Sequence, residues 1–489
     1  MTNETNLAEE RKQHWREELR KSKNAKDRKE IPRVKMRELA PEYRITNNSE
    51  VNLGLTQEQA LLEAKRCLDC PSPACVSSCP VSINIPKFIK HIECGQFLEA
   101  AKTLKETSAL PAVCGRVCPQ EKQCEEKCMF LKMKKEPVAI GYLERFAADY
   151  ERDAGKISIP SVAPENGIKV AAVGSGPAGL SFALDMAKRG YAVTVFEALH
   201  EIGGVLKYGI PEFRLPNEIV DVEINVLRKI GVEFVTDCII GKTLSYDDLH
   251  EAGFNGVFVS SGAGLPRFMN IPGENLNGVM SSNEYLTRVN LMDAASPESD
   301  TPVLIGKNVA VIGGGNTAMD AVRTARRLGA QRAMIIYRRS EEEMPARIEE
   351  VKHAKEEGIE FYTLHNPIEY RGDEKGRVTH VLLQKMTLGE PDASGRRAPV
   401  ELPGQTELIA VDEVIVSVGV SPNPLIPAAI SGLEVSKWGT LIVNQDTMQT
   451  SIPDIFAGGD IVRGGATVIL AMGDGRKAAA GMDSYLSNL

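Results

Sequence analysis

The sequence lacks the features that would assign the chain to secretion, to a membrane or to nucleic acid. Its first 20 residues contain no apolar core of a secretory signal, and nowhere do about 18 apolar residues follow one another, as a membrane-spanning helix requires. Aromatic residues make up only 5% of the chain, and the net charge of −8 argues against nucleic acid as the main partner. We therefore expect a cytoplasmic protein with no membrane and no nucleic-acid partner.

Cysteine is also scarce outside one stretch. Nine of the ten cysteines lie between Cys67 and Cys128, and only Cys238 lies outside it. Eight of the nine form two groups: Cys67, Cys70, Cys75 and Cys79, then Cys114, Cys118, Cys124 and Cys128. The first group reads C-x2-C-x4-C-x3-C-P, which is close to the ferredoxin run in which three cysteines bind one iron–sulfur cluster and the fourth binds another. In a chain without an export signal, disulfides do not explain such clustering.

Two other interpretations of these cysteines remain open. Eight thiolates could bind two structural zinc ions, although the spacing is a poor match to the paired knuckles that zinc prefers. They could also be unliganded structural thiols. We favour iron–sulfur clusters, because soft thiolates on short loops suit a cubane. Cys94 and Cys238 lie in apolar stretches, and we predict that both are packing residues.

The pattern along the chain changes at Ile168. Residues 1–50 carry dense mixed charge and predict an exposed helix and an extended arm, either a solvated tail or a docking segment. Residues 51–150 alternate helical stretches with the cysteine loops and show too little alternation for a sheet. From Ile168 onward, strand and helix patterns alternate, and 366–410 predict a β-meander or a hairpin.

The first β-α-β unit carries a dinucleotide motif between a buried strand and a helix. The motif residues are Gly174, Ser175, Gly176, Pro177, Ala178 and Gly179. In such a motif the first glycine permits the turn, the second lets the backbone approach a pyrophosphate, and the third lets helix and strand pack closely. Glu197 ends the next strand, where it would accept from ribose hydroxyls and repel a 2′-phosphate. This first site is therefore suited to FAD or NAD and not to NADP.

A second unit of the same kind begins at Asn308. Its motif residues are Gly313, Gly315, Asn316, Thr317 and Ala318. The matching strand end carries Arg338 and Arg339 instead of an acid, and a guanidinium fork there would bind the 2′-phosphate of NADP. Arg347, nine residues after Arg338, is a candidate for a further contact. The alternative is that the arginine pair is a solvated strand end.

Near the C-terminus, IPDIFAGGDIV predicts a buried strand that ends at Gly458, Gly459 and Asp460 before a helix. An acid in that position suits the hydroxyls of a flavin's ribityl chain.

Together these motifs resemble the family of NADPH-dependent glutamate synthase small subunits. The family is related to the amino-terminal half of dihydropyrimidine dehydrogenase and to the flavin subunit of NADPH–ferredoxin transhydrogenases. The resemblance extends from about Arg37 to the C-terminus, through CLDCPSPACVSSCPV, LPAVCGRVCPQEKQCEEKC, AIGYLERF, VGSGPAGL, GGVLKYGIPEFRLP, IGGGNTAMD, YRRSEEEMPAR and FAGGDIV.

The resemblance implies an α/β fold in which a helical iron–sulfur domain is followed by two Rossmann-like dinucleotide-binding domains. The implied domains are an iron–sulfur domain with a charged arm over 1–155, an FAD domain over 156–296 and 417–489, and an NADPH domain inserted over 297–416. It also implies that Gly204, Arg214, Gly459, Asp460 and Thr467 contact FAD.

The resemblance further implies how the cluster ligands are divided. One 4Fe–4S cluster takes Cys67, Cys70, Cys75 and Cys128. The other takes Cys79, Cys118, Cys124 and a fourth ligand, for which Glu144 is favoured and Cys114 competes.

The implied reaction passes electrons from NADPH through FAD and the two clusters to a partner. That partner is the large FMN-containing subunit of glutamate synthase, where glutamine and 2-oxoglutarate become two glutamates, or a ferredoxin-like acceptor. The alternatives are an NADPH–ferredoxin oxidoreductase and the nucleotide-oxidising subunit of a dihydropyrimidine dehydrogenase. The three domains take up the whole length, so we expect the chain alone to make no glutamate.

Overall fold

The first third of the chain is helical. The structure is a computed structural model that describes residues 3–488, and within these residues no strand precedes Lys169. The helices of this part are α1 (Asn3–Arg11), α2 (His14–Ser22), α3 (Ala25–Glu30), α4 (Pro41–Arg44), α5 (Gln57–Ala64), α6 (Ala74–Ser77), α7 (Ile85–Glu93), α8 (Phe97–Lys105), α9 (Pro111–Val117), α10 (Met129–Lys132) and α11 (Ile140–Asp153). The helical prediction for 51–150 is therefore confirmed.

Amphipathic spacing explains how α7 packs, and it corrects one prediction. Ile85, Phe88, Ile89 and Ile92 recur at helical spacing and are all buried. Cys94 caps the end of α7 and is exposed, so the prediction that it is a packing residue is wrong. The apolar stripe turns away from this position, and a sequence context rich in apolar residues did not reveal that. Cys238, by contrast, is buried as predicted.

The charged N-terminal segment docks on its own chain. The Arg16 guanidinium is buried and pairs with the buried carboxylate of Asp69, which lies between two of the grouped cysteines. Arg28 is also buried and pairs with Glu93 at 2.9 Å. Because buried charges of this kind are stable only when paired, the segment is part of the helical unit and not a solvated tail.

The remainder of the chain alternates strands and helices. Its strands are β1 (Lys169–Val173), β2 (Ala192–Phe196), β3 (Glu233–Val235), β4 (Phe254–Val259), β5 (Leu265–Pro266), β6 (Val279–Ser281), β7 (Asn308–Ile312), β8 (Arg332–Tyr337), β9 (Glu360–Thr363), β10 (His365–Gly372), β11 (Val378–Pro391), β12 (Arg397–Ala410), β13 (Glu413–Val416), β14 (Val420–Ser421) and β15 (Ile455–Ala457). Its helices are α12 (Pro177–Lys188), α13 (Val205–Tyr208), α14 (Asn217–Lys229), α15 (Tyr246–Glu251), α16 (Ser282–Leu286), α17 (Asn316–Arg327), α18 (Ile348–Glu356), α19 (Leu425–Ala429), α20 (Asp460–Arg463) and α21 (Val468–Leu486).

Two parallel five-stranded sheets share one architecture. The first has the order β15-β4-β1-β2-β3, and the second has the order β6-β13-β7-β8-β9. Because β15 returns to the first sheet after the second sheet is complete, the second unit is inserted into the first. The α/β fold with two Rossmann-like units is therefore confirmed.

One strand joins the second sheet earlier than the predicted domain boundary at 297. β6 pairs with β13 of the second sheet, although 279–281 was assigned to the first unit. A three-residue strand carries too little alternation to be seen in the sequence. The prediction of a β-meander is confirmed by the antiparallel sheet β10-β11-β12. The two segments that connect the units contain the short strands β5 and β14, which pair with each other.

Candidate functional site

The carboxyl ends of both parallel sheets open into one large cavity. Its volume is about 1690 Å³, and residues of both glycine motifs line it. A typical ligand pocket measures about 300–1,000 Å³, so this cavity has room for two large ligands. In open α/β sheets, ligands bind at this end of the strands.

The glycines of the first motif meet three different steric demands. Gly174 has φ +102°, and a Cβ there would lie 2.6 Å from the carbonyl oxygen of Ser260. A Cβ on Gly179 would lie 2.0 Å from the carbonyl oxygen of Gly174, so α12 touches the loop before it. Nothing lies within 4 Å of a Cβ built on Gly176, which lines the cavity. Gly176 precedes the first residues of α12, Pro177 and Ala178, and the open space beside it lies at the N-terminus of that helix. This arrangement fits a bound pyrophosphate.

Glu197 holds the loop and also faces the cavity. Its carboxylate accepts from the backbone N–H of Ser175 at 2.9 Å and from that of Leu199 at 3.0 Å. Gly204, with φ +56°, crosses the motif so closely that a Cβ would lie 2.9 Å from Cα of Gly176. The carboxylate therefore fixes the motif while it lines the wall where a ribose would bind.

The C-terminal strand end completes this wall. Gly459, Asp460 and Thr467 all line the cavity. Gly459 has φ +78°, and its N–H donates to Asp474 at 3.0 Å. Burial raises the pKa of Asp460 to about 6, because the carboxylate is removed from water. Thr467 caps α21 by accepting from a backbone N–H, so its hydroxyl lies at that helix N-terminus.

The second motif repeats the geometry of the first. A Cβ on Gly313, where φ is +143°, would lie 2.2 Å from the carbonyl oxygen of Ser417, whereas Gly315 meets only Pro345 at 4.0 Å. Asn316 and Thr317 begin α17 and line the cavity. Ala318 is fully buried in the position of the third glycine.

The predicted arginine pair divides into a buried and an exposed member, and both line the cavity. Arg339 is 4% exposed and pairs with Asp392, but its Nε and Nη1 have no partner within the described residues. Unpaired buried donors of this kind fit an anionic ligand. Arg396, from the tip of the β11–β12 hairpin, also lines the cavity. The sequence analysis missed Arg396, because only folding brings a hairpin tip over the end of β8.

The other two predicted arginines lie at contacts between parts of the chain. Arg214 lines the cavity, but its guanidinium also pairs with Asp320 at 2.6 Å and Glu350 at 3.2 Å in the second unit. Arg347 lies outside the cavity lining. Its guanidinium donates to the carbonyl of Arg116 at 2.6 Å, so the structure does not bring it to the arginine pair.

Four of the grouped cysteines come together near the surface: Cys67, Cys70, Cys75 and Cys128. Burial raises the pKa of Cys75 well above its ordinary value, and the nearby thiols of Cys67, Cys128 and Cys70 raise it further. Cys70, Cys75 and Cys128 are partly exposed, whereas Cys67 is buried. The resemblance assigned these four residues to one cluster.

The other cysteines gather around Glu144. Burial raises the pKa of Cys124, and Glu125, Glu144, Cys79 and Cys118 raise it further. Glu144 is buried, and its Oε1 has no hydrogen-bond partner within residues 3–488. Burial, with a smaller effect of Glu223, raises the pKa of Glu144 to about 8. An orphaned oxygen beside three thiols fits a fourth ligand.

Cys114, the competing candidate, is fully buried as well. Its Sγ lies 3.5 Å from Sδ of Met472, and its thiol hydrogen-bonds with that of Cys118. Both candidates therefore lie beside the group of Cys79, Cys118 and Cys124, and the unpaired oxygen favours Glu144.

The spread of the cysteines does not match a zinc site. Four thiolates around zinc, with Zn–S near 2.3 Å, lie about 3.8 Å from one another. In the described part of the chain, no three cysteines have sulfur atoms within 4.8 Å of one another. A cubane has a larger core and keeps its ligands farther apart, so the absence of a closer group is compatible with iron–sulfur clusters.

The group of Cys79, Cys118 and Cys124 borders the cavity directly, at Cys118. Val117 and Pro119, the neighbours of Cys118 in the chain, both line the cavity that contains the two glycine motifs. A cluster on Cys118 would therefore be separated from a cavity ligand by a single layer of residues.

Comparison with known proteins identifies the family. The family model "Pyridine nucleotide-disulphide oxidoreductase" matches residues 168–475, and "Dihydropyrimidine dehydrogenase domain II, 4Fe-4S cluster" matches residues 44–156. The chain belongs to the pyridine nucleotide-disulphide oxidoreductase family. It is an oxidoreductase that joins a pyridine-nucleotide unit to an iron–sulfur domain.

Similar proteins support this assignment. The glutamate synthase [NADPH] small chain of Azospirillum brasilense is 37% identical over 443 residues, which are 89% of this chain and 91% of that protein. The NADP(+)-dependent formate dehydrogenase subunit beta of Moorella thermoacetica is 38% identical over 435 residues, 84% of this chain and 60% of that protein. The identities are nearly equal, but the glutamate synthase small chain matches this chain along almost its whole length, so the chain belongs with the glutamate synthase small chains.

A solved structure has the same fold. Mycobacterium tuberculosis FprA in complex with NADPH matches with a TM-score of 0.55 and 21% identity, over 67% of this chain and 85% of that one.

Within residues 3–488, no helix has the length and apolar character needed to cross a bilayer.

Proposed function

We propose that this chain oxidises NADPH and passes the electrons through FAD and two 4Fe–4S clusters to a protein partner. The observation that carries the proposal is that Val117 and Pro119, on either side of Cys118, line the same cavity as both glycine motifs. One cavity thus offers two dinucleotide sites and one edge of a cysteine group.

The arginine pair and Glu197 support a division of the cavity between the two nucleotides. Arg338 and Arg339 present cationic donors beside the second motif, which favours a ligand with a 2′-phosphate. Glu197 presents a carboxylate beside the first motif, which disfavours one. FAD, when bound, supplies the chemistry that accepts one hydride, which carries two electrons, and releases these electrons singly. The protein residues orient the two ligands and exclude water.

The burial of the cysteines supports an order for the two clusters. The group of Cys79, Cys118, Cys124 and Glu144 is mostly buried and borders the cavity. The group of Cys67, Cys70, Cys75 and Cys128 has three partly exposed members. Electrons would enter at the buried group that contains Cys118. They would leave at the partly exposed group that contains Cys70, at the protein surface.

The partner that we propose is the large FMN-containing subunit of a glutamate synthase. The names of the similar small chains support it. The relative named as subunit beta of an NADP(+)-dependent formate dehydrogenase supports a second candidate, in which the chain works with a different partner subunit.

The first test uses the isolated protein without oxygen. We expect NADPH to bleach its visible spectrum and to reduce artificial acceptors, with no glutamate formed from glutamine. Cys118→Ser should lower the iron content while NADPH still reduces the flavin, and Cys94→Ala, a change outside both groups, should behave as wild type. Glutamate formation by the chain alone, or a colourless iron-free protein, would overturn the proposal.

The second test identifies the partner. Anaerobic purification from the native organism, followed by mass spectrometry, should recover a stoichiometric large FMN subunit. Recovery of a ferredoxin-like partner instead would replace the named reaction while leaving the site assignments in place.

A further inference from the structure

Arg347 connects the second dinucleotide unit to the iron–sulfur domain. Its backbone N–H donates to Oδ1 of Asn316 at 2.9 Å, and Asn316 is the first residue of α17 and lines the cavity. Arg347 itself caps α18. Its main chain is therefore tied to the turn of the second glycine motif.

The side chain of Arg347 reaches the loop that contains Cys118. Nη1 donates to the carbonyl of Arg116 at 2.6 Å, and Nη2 donates to Oε1 of Gln120 at 3.1 Å. These two residues lie two positions before and two positions after Cys118. Arg116 is in the last turn of α9, where carbonyl groups lack helical partners and a cation is favourable.

Gln120 continues the connection toward the cysteines. Its Nε2 donates to the carbonyl of Cys114 at 3.2 Å. It also packs so closely against Gly141 in α11 that a Cβ there would lie 2.3 Å from Nε2. The guanidinium therefore anchors a close-packed loop.

The charge of Arg347 acts where little water screens it. The residue is 5% exposed, and its guanidinium donates to groups two positions before and two positions after Cys118. Glu349 pairs with the same guanidinium at 3.0 Å and offsets part of its field. A cation that favours negative charge on a sulfur ligand also favours the added electron of a reduced cluster.

We propose that Arg347 is a positioning residue for the second cluster, which anchors the Cys118 loop to the first turn of α17 and raises the reduction potential of the cluster held there. This inference rests on the proposed function, because it requires a cluster on Cys79, Cys118 and Cys124. It gives the NADPH unit a direct electrostatic influence on electron transfer beyond the flavin.

The test is a redox titration of the whole protein, followed by electron paramagnetic resonance, with iron measured per chain. We expect removal of a buried unit charge beside the Cys118 loop, in an effective dielectric of about 20, to change a one-electron equilibrium roughly tenfold. Tenfold corresponds to about 59 mV. We expect Arg347→Gln to lower the midpoint potential of one cluster by about that amount, and Glu349→Gln to raise it.

Arg332→Gln is the matched control. This arginine lies at the opposite end of β8 from Arg338, pairs with Glu360 at 2.8 Å, and should leave both potentials unchanged. Full iron with unchanged potentials in the Arg347 and Glu349 variants would overturn this inference alone. An iron-free wild-type protein would overturn the proposed function as well. If Arg347→Gln loses iron, the rise expected in Glu349→Gln still decides the question.

Discussion

The strongest prediction concerns the choice between NADPH and NADH. Arg338 is exposed, lines the cavity beside the second motif, and makes no side-chain hydrogen bond to any residue in 3–488. Its replacement therefore removes a ligand contact without breaking an internal one. We expect Arg338→Glu to fold as wild type and to lose much of its preference for NADPH.

The magnitude follows from one charge-assisted hydrogen bond. Such a bond contributes about 1.5–3 kcal/mol, and about 1.4 kcal/mol corresponds to a factor of ten. The ratio of kcat/KM for NADPH to that for NADH should therefore fall by about 10- to 150-fold, chiefly because NADPH binds less well. Repulsion between the new carboxylate and the 2′-phosphate acts in the same direction.

The assay is steady-state reduction of an artificial acceptor with each nucleotide. Arg371→Glu is the control, since Arg371 is exposed on β10 of the antiparallel sheet, pairs with Glu369 and lies outside the cavity lining. A ratio within twofold of wild type, with FAD content unchanged, would refute the assignment of the 2′-phosphate site to Arg338.

Three further predictions test the glycines and the buried acids. Gly176→Ala should leave the apoprotein as stable as wild type but weaken FAD binding. Gly179→Ala should instead lower the melting temperature, because its Cβ would lie 2.0 Å from a carbonyl oxygen. Equal melting temperatures of the two variant apoproteins would contradict this prediction. Glu144→Ala should lower the iron content or shift the signal of one cluster only, by metal analysis and electron paramagnetic resonance, and unchanged spectra would favour Cys114 as the ligand. Glu350→Gln should lower the free energy of unfolding in urea by about 3–5 kcal/mol, because the buried guanidiniums of Arg214 and Arg323 each lose one of two carboxylate partners. Burial alone would raise the pKa of Glu350, but Arg214 and the neighbouring cations lower it to about 2. The contribution of this carboxylate to stability is therefore present above about pH 4.5 and is lost as the pH falls toward 2. The variant should lack this part of the acid transition.

Motifs with strict local spacing were predictable because their chemistry depends on neighbours in the chain. A turn from strand to helix needs glycine at set positions, and Gly174 and Gly313 occupy such turns in the structure. The grouping of the cysteines was visible for the same reason. The arrangement of β6 and the exposure of Cys94 were not, because a short strand and the end of a helix carry almost no periodic signal.

Contacts between distant segments could not be read from spacing. Arg347 lies nine residues after Arg338, and that proximity suggested a shared ligand. The structure instead directs the Arg347 guanidinium to the carbonyl of Arg116, 231 residues away in the chain. Arg396 reaches the cavity only because the β11–β12 hairpin folds back over the second sheet.

The sequence by itself determined the class of the protein, with two dinucleotide units and an iron–sulfur domain, and it predicts the nucleotide that each motif prefers. Those properties reside in backbone turns and in residues at fixed short separations. Only the tertiary structure decided that Val117 and Pro119 border the same cavity as both motifs, that Glu144 faces three cysteines with an unpaired oxygen, and that the charged N-terminal segment docks on its own chain. These are consequences of packing between segments far apart in the chain, where burial and charge pairing decide which side chains meet.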